Sequence, residues 1–306
     1  MITLAHLSDP HLGPLPRARI SQILNKRLLG HFNWHRRRKY VHSREVADLL
    51  VADLRDQQPD HIAITGDLVN ISLPEEFHTA LSWLKSVGSG EHVSVVPGNH
   101  DAYVPVPWAQ SLGLWQEYMT SNAGAASLVT HSGRFPYVRV FDRIAIIGLS
   151  TALPTLPLLA CGKLGASQRE ALATILKALG AEKLYRIVLI HHPPLRHQNS
   201  RRKGLSDAKA LMDILASQGA ELVLHGHNHR DMNAALATCD GTARIFGVPS
   251  ASAAHGGHRP AAQYNLYRIS TDKAGWHCQV TVRGYDDTTR SFATVMETVA
   301  PNNGET

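Results

Sequence analysis

The sequence predicts an α/β protein in which a sheet that is parallel at its centre carries a second sheet stacked against it. Three observations lead there. Five short β-rich runs alternate with helical patterns, the signature of a parallel sheet flanked by helices. From residue 134 the alternation is interrupted by closely spaced strands, which require more sheet than one layer holds. No internal repeat and no low-complexity linker divides the 306 residues, so residues 1–290 read as one domain.

Taken in order, the first β-rich run covers 2–7 and ends at Ser8-Asp9-Pro10-His11. Residues 18–34 place Ile20, Ile23, Leu24, Leu28 and Phe32 at helical spacing. A helix is predicted over 44–57, with Val46, Leu49, Leu50 and Leu54 on one face, and another over 75–87, with Phe77, Leu81, Leu84 and Val87. The run 61–65 ends at Gly66-Asp67, and 92–96 ends at Pro97-Gly98-Asn99-His100-Asp101. A helical pattern follows over 108–120. The runs 137–141 and 144–149, separated only by Asp142-Arg143, read as a hairpin. Helices are expected over 167–179, where Ser167 and Glu170 have capping-box spacing, and over 206–218. The run 186–190 ends at His191-His192-Pro193, and 221–224 ends at His225-Gly226-His227-Asn228-His229. Strands over 243–248, 264–270 and 276–283 add to the second sheet, and the tail 291–306 is expected to fray.

Composition narrows the function classes. Hydrophobic residues make up 43% of the chain, which excludes disorder or a coiled coil as its overall character. No apolar run approaches the ~20 residues of a spanning helix. The longest, 151–161, is broken by Pro154 and Pro157. A strand beginning at residue 2 leaves no room for a secretory leader, and Cys161, Cys239 and Cys278 fit neither a disulfide framework nor a zinc ribbon. A cytoplasmic protein is expected, with peripheral contact to the inner face of the membrane as an option. Histidine is over-represented, at 19 residues, and imidazole is the commonest metal ligand.

The net charge of +6 is local in origin. Residues 17–42 hold Arg17, Arg19, Lys26, Arg27, Arg36, Arg37, Arg38 and Lys39 and no acid, so the remainder of the chain is slightly acidic. That pattern points to a site for one anionic partner rather than to general nucleic-acid affinity. Arg196, Arg201, Arg202 and Lys203 form a second basic group.

The chemistry lies where the five runs end. In open α/β sheets ligands bind beyond the carboxyl ends of the strands. Asp9 and His11, like His227 and His229, are two residues apart and point to the same side of an extended segment. With Asp67, Asn99 and His191 they supply carboxylate, amide and imidazole donors and no thiolate, a set that suits Mn, Fe(II) or Zn. Seven side chains are too many for one ion. Two ions sharing a carboxylate would polarise a phosphoryl oxygen and generate a hydroxide nucleophile near neutral pH.

The ordered series Asp9-x-His11, Gly66-Asp67, Gly98-Asn99-His100-Asp101, His191 and Gly226-His227-Asn228-His229 resembles the calcineurin-like metallophosphoesterase superfamily. The resemblance implies a four-layer α/β/β/α sandwich of two stacked mixed sheets. It implies that Asp9, His11, Asp67 and His229 hold one metal and Asp67, Asn99, His191 and His227 the other, with Asp67 as the bridge. His100 is then the general acid toward the leaving group, or a positive clamp on the transition state. Departures narrow the branch. Asn70 stands where protein phosphatases carry an aspartate that orients the histidine and where purple acid phosphatases carry a tyrosine ligand. What remains is similar to the bacterial branch of class III cyclic-nucleotide phosphodiesterases, glycerophosphodiesterases and UDP-diacylglucosamine pyrophosphatases.

The expected activity is a phosphodiesterase acting on a small phosphate ester, with substrate contacts from Asn70, His192, Arg36, Arg37 and Arg38 and with Asp101 in support, orienting His100 or anchoring its loop. One alternative is a membrane-surface pyrophosphatase acting on a lipid-linked nucleotide sugar. The other is a nucleic-acid phosphoesterase, disfavoured because the basic segment lacks interleaved stacking aromatics. His6 and His225 read as packed core histidines. For 18–34 the preferred reading is an insertion that folds its apolar face onto the protein, and the competing one is a membrane-interface helix with Trp34 as anchor.

Overall fold

A computed structural model describes residues 1–128, 131, 133–254, 259–273 and 275–300. Strand β1 (Ile2–Leu7) is followed by α1 (Ile20–Ile23), α2 (Arg27–Arg36), α3 (Arg44–Gln57), β2 (His61–Ile64), α4 (Pro74–Val87) and β3 (Val93–Val95). The hairpin β4 (Tyr137–Phe141) and β5 (Ile144–Gly148) leads to α5 (Ala166–Ala181), β6 (Tyr185–Leu189), α6 (Ala208–Gln218) and β7 (Leu222–His225). The chain closes with β8 (Met232–Thr238), β9 (Gly241–Gly247), β10 (Gln263–Asp272), β11 (Gly275–Asp286) and β12 (Ser291–Ala300).

Two six-stranded mixed sheets result, ordered β12-β11-β10-β1-β2-β3 and β4-β5-β6-β7-β9-β8. The first is parallel over β1, β2 and β3 and antiparallel over its other half. The second is parallel over β5, β6, β7 and β9, with antiparallel pairs at both edges. The period-two side-chain pattern of its strands makes the sandwich. Ile144, Ile146, Ile187, Leu189, Leu222 and Leu224 join the first sheet in one core, whereas Ala145, Ile147, Val188, Ile190 and Val223 join Leu172, Ile175 and Leu176 of α5 and Leu211 and Leu215 of α6 in another. The first core also takes Leu50 and Leu54 of α3 and Phe77, Trp83 and Leu84 of α4. The Tyr137 hydroxyl ties the layers together by donating to the Val95 carbonyl at 2.9 Å. Among the described residues no helix is long and apolar enough to cross a membrane.

Local chemistry sets the helix ends. Ser43 caps α3, its hydroxyl accepting from the Val46 N–H, and Pro74 occupies the first turn of α4, where a missing N–H costs nothing. The buried Glu76 carboxylate of α4 accepts from the N–H groups of Asn70 (2.7 Å), Ile71 (3.2 Å) and Leu73 (2.8 Å), so the helix grips the loop that follows Asp67.

Several expectations are corrected. The five ligand-bearing strands do not share one sheet: β1, β2 and β3 lie in the first and β6 and β7 in the second, while the late strands β10 and β11 pair into the first. Periodicity reports which face a residue takes, not which sheet its strand enters. The 108–120 pattern forms 3-10 turns at Trp108–Gln110 and Leu112–Met119. Ser167 does not cap α5, which begins one residue earlier after Gly165; the Gln168 side chain instead binds the Ser150 N–H and carbonyl. The tail is not frayed from 291, because β12 pairs along β11 and Phe292 packs against Tyr264 and Tyr285. Residues 301–306 lie outside the described residues.

Candidate metal centre

The carboxyl ends of β1, β2, β3, β6 and β7 meet at one rim of the sandwich. Hydrogen bonds extend the parallel pairing beyond the strands, from Asp9 N to Gly66 O (2.9 Å), His11 N to Asp67 O (3.0 Å) and Gly226 N to His191 O (3.1 Å). His191 crosses between sheets, its Nδ1–H donating to the Thr65 carbonyl at 2.6 Å, which leaves Nε2 facing the rim. Ser250 seats the first turn by donating to the Asp9 carbonyl at 2.6 Å.

All seven sequence-predicted ligands converge there. Asp9 Oδ1 lies 3.1 Å from His229 Nε2 and 3.8 Å from His11 Nε2, and the two imidazole nitrogens are 3.2 Å apart. Asp67 Oδ2 lies 3.8 Å from His11 Nε2 and 3.4 Å from His191 Nε2. His191 Nε2 is in turn 3.2 Å from Asn99 Oδ1 and 3.3 Å from His227 Nδ1. Asp9, His11 and Asp67 form one group whose donor atoms all lie within 4.8 Å of one another, and Asp67, His191 and His227 form a second. Asp67 belongs to both.

The backbone is distorted to bring the donors together. Asp9, His11, Asp67, His227 and His229 have φ of 54°, 40°, 55°, 71° and 52°, a left-handed conformation that residues with a Cβ adopt at a cost. Glycine supplies the clearance around them. A Cβ at Gly98 would meet Asp67 N at 2.6 Å and His191 Cε1 at 2.7 Å, and would collide with Asp67 Oδ1. Gly98→Ala is therefore expected to displace the shared carboxylate and weaken metal affinity by ~10–100-fold, measurable by calorimetric titration with Mn²⁺.

Charge states suit cations. Burial opposes ionisation of Asp9 and Asp67, but nearby histidines, His229 for Asp9 and His191 for Asp67, outweigh it and hold both carboxyls below their usual range. Burial, reinforced by Arg38 at His11 and by His192 at His227, pushes those two imidazoles well below theirs. Neutral imidazole and ionised carboxylate are the forms a metal requires. His191 differs: burial pulls it down, but Asp67 and Asp9 raise it to about 9. Its protonation therefore stabilises the metal-free fold fully below pH 6.5 and is lost as pH rises through about 9. Metal uptake in that window must expel the proton. Titrations in buffers of different ionisation enthalpy should show its release at pH 7 and none above about pH 9.

His100 lies beside the rim. Its Nδ1–H donates to the Asn70 carbonyl in a short hydrogen bond, and Nε2 accepts from Arg38 Nη1 at 3.0 Å. Burial first and Arg38 second lower its pKa to about 3. Its backbone N–H donates to Asp67 Oδ1 at 2.7 Å. The Asn70 backbone oxygen thus fixes the orientation of the His100 ring. The Asn70 side chain is buried and donates to the Leu12 carbonyl, while its Oδ1 has no hydrogen-bond partner. Asp101 anchors the loop rather than His100, accepting from the N–H groups of Asp67, Leu68, Val69 and Gly98 at 2.8–3.0 Å.

His192 lies behind the rim. It is fully buried, Nδ1 lies 2.7 Å from the Thr151 hydroxyl and Nε2 3.1 Å from the Ala160 carbonyl, and its ring packs 4.5 Å from that of His227. Of the three predicted arginines only Arg38 reaches the centre; Arg36 and Arg37 are exposed. The Arg196 side chain lies outside the described residues. His6 and His225 are buried in the core, as expected. Sequence reasoning missed His42, whose ring is 4.6 Å from that of His11 and which groups with His11 and His229, and Arg259, which donates to His229 Nδ1 at 2.7 Å. Neither sits at a strand end, so no pattern marked them.

The sequence profile of the calcineurin-like phosphoesterase family matches residues 2–231, a span that contains all seven candidate ligands. The chain belongs to the calcineurin-like phosphoesterase family. As a calcineurin-like phosphoesterase it is a hydrolase of phosphoric esters, in a family that works with two metal ions. No curated protein matches this calcineurin-like phosphoesterase in sequence. Solved structures share its fold. A dimetal phosphatase from Danio rerio superposes with a TM-score of 0.58 at 13% identity, over 96% of this chain and 98% of that one. The purple acid phosphatase PPD1 of yellow lupin (Lupinus luteus) gives 0.56 at 12% identity, over 96% and 52%, and the NAD nucleotidase of Haemophilus influenzae gives 0.51 at 12%, over 96% and 53%. The chain spans about half the length of the latter two.

Proposed function

We propose that this calcineurin-like phosphoesterase is a two-metal phosphodiesterase of the branch that includes bacterial class III cyclic-nucleotide phosphodiesterases. The observation that carries the reading is the place of Asp67, whose Oδ2 faces His11 on one side and His191 on the other. The donors fit divalent Mn, Fe or Zn: oxygen and nitrogen only, with Asp9 Oδ1 buried and without a hydrogen bond. Asp9, His11, Asp67 and His229 would hold one ion and Asp67, Asn99, His191 and His227 the other. When bound, the pair supplies Lewis acidity at the phosphoryl group and a nucleophile at neutral pH.

The chain's own groups do the rest. Arg38 and Arg259 are the cations beside the rim, one against His100 and the other against His229, and they suit an anionic phosphoryl group. While Arg38 donates to His100 Nε2, that nitrogen cannot carry a proton to a leaving group. An anionic substrate offers the guanidinium a better acceptor and offsets the Arg38 charge that disfavours the imidazolium, so Nε2 can take up a proton from solvent and pass it to the departing oxygen, with the ring held in place by the Asn70 carbonyl. A second reading, hydrolysis of the pyrophosphate in a lipid-linked nucleotide sugar, is favoured by the apolar side chains exposed on α1 and α2.

The test is turnover of phosphomonoesters, linear diesters, cyclic nucleotides and nucleotide-sugar pyrophosphates by metal-reconstituted protein. Diesters are expected to give the highest kcat/KM. A preference for monoesters would overturn the proposal, and one for pyrophosphates would select the second reading.

A further inference from the structure

Most large apolar side chains of the acid-free segment between β1 and α3 do not fold onto the protein, which corrects the preferred sequence reading, and Trp34, the expected anchor of the competing one, is buried instead. Ile20, Leu24, Leu28, Leu29 and Phe32 are 78%, 72%, 54%, 47% and 61% exposed. The opposite face of α2 fixes the helix to the body. Arg27 and Trp34 are buried, Arg27 donates to the carbonyls of Ile71 (3.0 Å) and Ser72 (2.5 Å), and Gly30 lies so close to Ile71 and Tyr103 that no Cβ would fit. With Arg27, Gly30 and Trp34 turned inward, helical spacing turns Leu28, Leu29 and Phe32 outward.

A distant part of the chain extends the same surface. Lys26 Nζ donates to the Thr155 hydroxyl at 2.6 Å and to the Leu159 carbonyl at 3.3 Å, and this clamps the loop that carries Leu156 and Leu158, 73% and 80% exposed. Scattered exposed leucines are ordinary, but seven large apolar side chains from two segments tied together form a patch of the kind that marks an interaction surface. Exposed Arg17, Arg19, Arg36, Arg37 and Lys39 belong to the same segment, with no acid among them.

We infer that this composite face docks on an anionic lipid bilayer. Apolar tips among cations match an acyl boundary beneath negatively charged headgroups. A second copy of the chain is a poorer occupant, because its own cations would meet like charge. The same segment continues into Arg38, which touches His100, so docking would bring the metal centre close to the headgroups. That last clause rests on the phosphodiesterase reading; the docking itself does not.

The test is co-sedimentation of the full chain with vesicles of phosphatidylcholine alone and of equimolar phosphatidylcholine and phosphatidylglycerol. Partitioning is expected to be at least ~10-fold stronger on the anionic vesicles and to weaken with salt. Leu28→Asp with Phe32→Asp should lower it by ~10-fold or more, and their exposure predicts an unchanged melting temperature. Asp67→Asn should sediment like the wild type, which separates docking from catalysis. No binding to anionic vesicles, or equal binding to both kinds, would overturn the inference even in an active phosphodiesterase. So would concentration-dependent dimerisation, seen by sedimentation velocity, that the double substitution abolishes.

Discussion

Asp67→Asn should strip the protein of metal and of activity together. The substitution preserves shape and leaves an oxygen able to accept from the His100 N–H, so the fold has little reason to change. What it removes is the one negative charge shared by the two donor groups, 3.8 Å from His11 Nε2 and 3.4 Å from His191 Nε2. Metal content measured by mass spectrometry should fall for both sites rather than one. kcat/KM should fall by ~10³-fold or more, equivalent to about 4 kcal/mol of transition-state stabilisation. A second signature follows from His191, which Asp67 does most to hold protonated. In the variant its pKa should drop toward the ordinary value, which an NMR titration of the metal-free protein would read. A variant that keeps both ions would show that Asp67 is not the bridge.

His100→Ala should separate chemistry from binding. The ring makes no contact that would hold an ion: its nitrogens face the Asn70 carbonyl and Arg38. Both ions should stay while kcat falls by ~10²–10⁴-fold, the range for losing a positioned acid or base. The deficit should be smallest for substrates with good leaving groups, such as nitrophenolate, which depart without a proton. Full activity in this variant would assign the assistance to Arg38 alone.

The contrast between these residues shows what the sequence reveals. The convergence of the seven candidate ligands was legible because each follows a β-rich run and carries a donor of the right chemistry, so one-dimensional order carried three-dimensional meaning. Asn70 was legible as a departure from related motifs, yet its contribution comes from a backbone oxygen, which no side-chain comparison can show. Arg38 was one of eight cations in a featureless basic run. In the fold Arg38 touches His100 while Arg36 and Arg37 face solvent, a division that a run of like residues does not mark. The division of the strands between sheets was illegible for a similar reason: alternation specifies faces, whereas partners are settled by pairing across long separations. The exposure of Leu24, Leu28 and Phe32 also ran against expectation, since helical spacing of apolar residues normally signals an inward face.

The left-handed turns at Asp9, His11, Asp67, His227 and His229 bear on how such a centre would decay. Each costs about 1–3 kcal/mol relative to relaxed backbone, a load borne by the sheets beneath and offset when ions are captured. Glycine at any of them would release that backbone strain but would also enlarge the entropy of the unfolded chain, and at Asp67 it would leave the His100 N–H unpaired. Decay of the centre is therefore held back by the same hydrogen bonds that position its donors.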